Sequence, residues 1–179
     1  MITKKGNTRF VLVFPKLGFV VKFPIVRISA LWPAIINPWK YGWETESLIW
    51  KAPVSCFFSY KYLFFSGIVA NWLEWRFWRR YKHPFIHPTW FSFFGLFNIQ
   101  KYGKPINNDC YFAIGSSVAK TTNGASIECG HGLESSGNYC EVNGTIRLVD
   151  YGSVRTWRVI IRHGHKLMKL RVSECLIKY

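Results

Sequence analysis

Residues 127–153, IECGHGLESSGNYCEVNGTIRLVDYGS, constrain this chain more than any other stretch. A polar loop opens with His131-Gly132 and closes with Gly137-Asn138, and an Asn143-Gly144 pair follows between short apolar runs. Asn-Gly tolerates the positive φ angles of a two-residue hairpin turn, so the pair predicts a tight hairpin. The returning run, residues 145–149, ends on Asp150-Tyr151-Gly152. A hairpin turns the chain back on itself and so delivers Asn138 and Asp150 to one place. An amide oxygen beside a carboxylate is a hard oxygen pair suited to Mg²⁺.

His131, Gly132, Gly137 and Asn138, then a hairpin, then Leu148-Val149-Asp150-Tyr151-Gly152, resemble the catalytic core of protein-kinase-like and aminoglycoside-phosphotransferase-like folds. There the loop reads roughly H-G-D-L-H-P-G-N and the hairpin ends in L-I-D-F-G. The resemblance covers this stretch and is weak elsewhere. It implies ATP as ligand, with Mg²⁺ held by Asn138 and Asp150. Leu133 occupies the position of the family's catalytic Asp, and Glu134 is displaced from it by one. His131 and Glu134 are therefore the residues left to carry catalysis, and a pseudokinase or a weak, unusual phosphotransferase is expected.

Upstream, residues 8–24 (TRFVLVFPKLGFVVKFP) read as a β-hairpin, two Val- and Phe-rich runs around Pro15-Lys16-Leu17-Gly18. In the kinase-like reading they are the second and third strands of a small lobe. Val20-Val21-Lys22 then resembles the V-A-I-K segment, whose Lys holds nucleotide phosphates. Without that resemblance, a lone strand Lys is an exposed residue on a polar face. Residues 71–82 (NWLEWRFWRRYK) read as a helix, with Leu73, Phe77 and Tyr81 recurring at i, i+4 and i+8. Its one acid, Glu74, would orient Lys22; Glu44 and Glu46 are rivals nearer in sequence. Gly6 is the only glycine before the hairpin, so a phosphate-covering loop is missing or very short.

Between these landmarks, residues 25–53 carry Pro33, Pro38 and Pro53 with four Trp, which predicts an irregular aromatic loop. The apolar run 54–73 reads as a buried strand plus helix; Lys61 and Asn71 weaken a membrane span, so membrane attachment is not expected. Residues 89–94 and 96–101 read as two strands, and Tyr102-Gly103-Lys104-Pro105 would sit near an adenine-holding hinge. Residues 106–126 are polar around a short apolar element, 111–114, and leave little room for a helical lobe. Residues 154–161 (VRTWRVII) read as a strand, His163-Gly164-His165 as a turn, and the end as a basic hairpin. The expected fold class is α+β, one domain in a small-lobe-like part (1–105) and a truncated catalytic part (106–179). A reduced domain of this kind would suit a virus-encoded regulator acting on a host protein.

Charge supports a rival reading. The chain has 24 Lys+Arg against 9 Asp+Glu, net +15, and 18% aromatic residues including 9 Trp. Such a field draws polyanions. Arg76, Arg79, Arg80 and Lys82, interleaved with Trp, together with Arg158 and Arg162, form a candidate nucleic-acid surface. Five cysteines, an odd number with no C-x-x-C pair, and no signal-peptide pattern point to reduced thiols in a cytoplasm. Cys129, His131 and Cys140 match no familiar zinc spacing.

Overall fold

Residues 8–24 form the hairpin that their apolar runs predict. In the computed structural model, which describes residues 1–6, 8–25, 56–106, 111–128, 133 and 136–173, the hairpin strands are β2 (Arg9–Phe14) and β3 (Phe19–Pro24). A 3-10 turn, Pro15–Leu17, joins them, with Gly18 left-handed at φ 74°. Strand β1 (Ile2–Lys5) pairs with β2. Strands β4 (Thr89–Phe93) and β5 (Phe97–Lys101) complete an antiparallel sheet in the order β1-β2-β3-β5-β4.

The sheet is polar on its inner face. Val11 lies opposite Lys22, Lys22 opposite Asn98, and Ser92 opposite Asn98, so these side chains share one side. Arg9, Lys22, Thr89, Ser92, Asn98 and Gln100 are all buried there. The outer face is aromatic: Phe10, Phe23, Phe91 and Phe93 are partly exposed, and the Phe23, Phe91 and Phe93 rings each lie within 6.1 Å of Phe97.

Helix α1 (Cys56–Tyr81) packs across β3, β4 and β5. It is one continuous helix and not a strand plus a helix over 71–82. The sequence of its first half carries apolar and aromatic residues at most positions, which blurs the 3.6-residue period that marks a helix boundary. Asn71 fixes it to the sheet, donating to the carbonyls of Lys22 and Gly95, while Asn98 donates back to the Asn71 carbonyl.

The second half of the chain adds a three-stranded sheet, β6 (Lys104–Pro105), β7 (Tyr139–Val142) and β8 (Thr145–Leu148). The Asn143-Gly144 turn has φ 51° and 73°, the left-handed pair expected of that dipeptide. The hairpin itself is shorter than 127–153: its upstream part contains the end of α3 (Ala125–Glu128) and a 3-10 turn at Ser136–Asn138. Residues 111–121 form a full helix, α2 (Tyr111–Thr121), longer than the element expected there.

Among the described residues the basic C-terminal hairpin is not present. Helix α4 (Val154–Leu167) replaces its first strand, and His163-Gly164-His165 lies inside it. Ser153 caps the helix by accepting from the Arg155 N–H. Thr156, Val159, Ile160, Gly164 and Leu167 are buried, a helical and not an alternating pattern. The main apolar core lies here, with Phe77 of α1, Ile114 of α2, Leu148 of β8 and Ile160 of α4 in one cluster. The aromatic loop expected over 25–53 falls mostly outside the described residues. No described helix is long and apolar enough to cross a membrane.

Candidate functional site

The inner face of the sheet, α1 and the end of β8 meet at four charged side chains. Lys22 comes from β3. Its Nζ donates to Glu74 Oε1 at 2.7 Å, across 52 residues of sequence, and to the Val149 carbonyl at 2.7 Å. Glu74 is fully buried on α1 and is the partner that Lys22 takes. Glu44 and Glu46 lie outside the described residues. Arg9 of β2 donates to Glu74 Oε2 at 2.5 Å and, through its other terminal nitrogen, to Asp150 Oδ1. Asp150 follows β8 directly and keeps 30% of its side chain exposed, the one member of the four open to solvent to that extent.

Two cations thus balance two carboxylates in a mostly buried cluster. Burial opposes the charge on Arg9, but Asp150 and Glu74 outweigh it and hold the guanidinium protonated. Burial lowers the Lys22 ammonium from its ordinary range, Glu74 works against that, and Arg9 adds to it. Neutral polar groups complete the setting. Gln100 also donates to the Val149 carbonyl at 3.1 Å, and Thr89 bonds both Glu74 and the Tyr151 hydroxyl. The Tyr151 hydroxyl in turn donates to the His87 carbonyl at 2.7 Å. Because Val149 and Tyr151 flank Asp150, these bonds fix the carboxylate against the sheet.

Of the residues singled out from sequence, Lys22, Glu74 and Asp150 are brought together. Asn138 joins the same end of the hairpin: its carbonyl accepts from the Val149 N–H at 2.8 Å. His131 and Glu134 lie outside the described residues. Leu133 is 1% exposed and belongs to the core, with its carbonyl accepting from the Tyr139 hydroxyl. Arg76, Arg79, Arg80 and Lys82 are exposed at the end of α1, away from this cluster, and Arg158 and Arg162 are exposed on α4.

Arg9 is the member that sequence reading missed. Its signal was the hairpin register. Val11 pairs with Lys22, so Arg9, two residues before Val11, shares the Lys22 face as its diagonal neighbour. The charge also bears on Mg²⁺. A divalent ion between Asn138 and Asp150 needs the Asp150 carboxylate, and Arg9 already engages it. The residues as arranged do not fit a metal on that oxygen. Among the described residues no group of three or more His, Cys, Asp or Glu gathers as a metal site.

One buried pair lies beyond the cluster. His87 is 1% exposed, and neither ring nitrogen has a hydrogen-bond partner among the described residues. Burial pulls its pKa down to about 4, against a raising contribution from the Tyr102 carbonyl and with Arg147, Lys101 and Lys22 lowering it further. Cys140, an unbridged thiol beside Gly103, is pushed up to about 12 by burial and is no nucleophile at neutral pH. Comparison with family models, curated proteins and solved structures finds no match to this chain.

Proposed function

We propose that this chain is a reduced, kinase-like domain that binds ATP by its phosphates and acts through a partner protein, not by phosphoryl transfer. The observation that carries the reading is the Lys22–Glu74 contact at 2.7 Å, made from a strand and a helix, beside Asp150 at the end of a hairpin. In the resemblance Lys22 holds nucleotide phosphates, Glu74 orients Lys22 and Asp150 faces the phosphates through a metal. Against turnover stands Leu133. A carboxylate is wanted there to orient the attacking hydroxyl, and the position is filled by a core side chain.

The test is thermal denaturation with and without millimolar ATP, on the parent protein and on Lys22→Met. ATP should raise the melting temperature of the parent and leave the variant unmoved, with circular dichroism confirming that the variant is folded. An unmoved parent would overturn the reading. Transfer of labelled phosphate to a peptide or hydroxyl acceptor should stay at background.

A second reading rests on a different observation. Helix α4 packs beside the end of α1, with Trp157 stacked on Phe77 at 4.8 Å and Gly164 against the His83 ring. The exposed Arg76, Arg79, Arg80, Arg158 and Arg162 therefore sit on neighbouring helices, and none has a carboxylate partner among the described residues. Arg79 lies 5.0 Å over the Trp75 ring. Cations without a carboxylate partner among the described residues, beside partly exposed aromatic rings, suit a nucleic-acid strand, in place of ATP or alongside it.

A further inference from the structure

We propose that Arg9 stands in the place of a divalent metal, so that this site takes the triphosphate of a nucleotide without Mg²⁺. The inference rests on the phosphate-binding reading above and specifies its ligand as the metal-free nucleotide. Among the described residues Asp150 is the only carboxylate that the hairpin brings to the cluster, and the Arg9 guanidinium bonds to it while bonding Glu74 with its other terminal nitrogen. A guanidinium does not release its proton in a protein, so no ordinary change of pH frees Asp150 by neutralising Arg9.

Three features keep Arg9 in place. Its side chain is 7% exposed, so it cannot simply swing into water, and Asp150 and Glu74 are what pay for its charge. It leaves from β2, whose six register pairs with β3 fix its direction. Lys22 and Arg9 already balance Glu74 and Asp150, so the cluster has no surplus negative charge to draw a divalent cation, and the chain around it carries a net charge of +15. The same field favours the bare triphosphate over its magnesium complex, which carries two fewer negative charges.

The experiment is titration of the protein with a fluorescent ATP analogue, once in EDTA and once in excess Mg²⁺ at matched ionic strength. The parent should bind as tightly in EDTA as in Mg²⁺, or more tightly. Binding that tightens about tenfold or more on adding Mg²⁺ would overturn the inference and leave the nucleotide reading standing. Absence of binding in both buffers would remove the nucleotide reading and this inference with it. Arg9→Met supplies the second arm, since it releases Asp150. There Mg²⁺ should tighten binding, and a variant that binds but ignores Mg²⁺ would show that Arg9 is not what excludes the metal. Arg9→Gln, which keeps a polar side chain toward Glu74 but loses the charge that holds Asp150, should likewise gain dependence on Mg²⁺ and takes the place of a Met variant that fails to fold.

Discussion

The four side chains of the cluster differ in what they tolerate. Arg9, Lys22 and Glu74 are mostly buried and depend on one another, and removal of any one strands a charge in a poorly solvated place. His87 shows the same cost of burial without a carboxylate partner among the described residues. In the folded protein it takes a proton only near pH 4, against an ordinary value of 6.5. Its neutral form therefore contributes stability fully above pH 6.5, and that contribution is lost as pH falls toward 4. The whole shift corresponds to about 3 kcal/mol. The melting temperature should fall between pH 7 and pH 4.5, and His87→Phe should flatten that slope; an unchanged slope would assign the acid limb to the carboxylates instead. Leu133 makes the opposite point. The position that the resemblance matches to a catalytic carboxylate lies in the apolar core, so an Asp placed there would be buried among apolar side chains and would break packing.

At the scale of elements, the hairpin β7-β8 is what aims Asp150, and Gly152 is what lets it approach α1. A Cβ at Gly152 would lie 2.5 Å from the Ala70 carbonyl oxygen. Gly152→Ala should cost about 1–3 kcal/mol as the end of the hairpin is pushed off the helix. Urea denaturation reads this directly, and an unshifted midpoint would mean that the backbone yields at no cost. Much of this level was legible in the sequence. Asn143-Gly144 named its own turn, and the strand runs at 89–94 and 96–101 lie where expected. Lys22 was harder, because alternation alone turns the aromatic face of β3 inward and leaves Lys22 in water, the reverse of what is found. Its likeness to the V-A-I-K segment singled it out as a phosphate-holding residue and did not foretell its burial. Helix α4 was illegible for a related reason. Val154, Trp157, Val159, Ile160 and Ile161 have β-forming character, and the helical burial pattern shows only once the partners Phe77 and Ile114 are known.

At the scale of the whole molecule, the cluster is internally neutral, so the surplus of fifteen positive charges lies elsewhere on the chain. Much of it is exposed on α1 and α4. Binding of a single-stranded oligonucleotide should weaken steeply with salt, and replacing both Arg158 and Arg162 with Ala should flatten the log–log slope by about 1.4, two phosphate contacts' worth. An unchanged slope would move the binding surface off α4. The cluster has a further consequence, in the order of folding. Arg9 and Asp150 are 141 residues apart, and Lys22 and the Val149 carbonyl 127. Contacts of such long range form late, because the intervening chain must first be brought to order. On the ribosome Arg9, Lys22 and Glu74 emerge well before Asp150, so the amino-terminal sheet waits with two cations and one carboxylate on the face it must bury. Completion of that sheet is thus held back until the hairpin arrives, and the last of the four side chains to be synthesised is the one that closes the cluster.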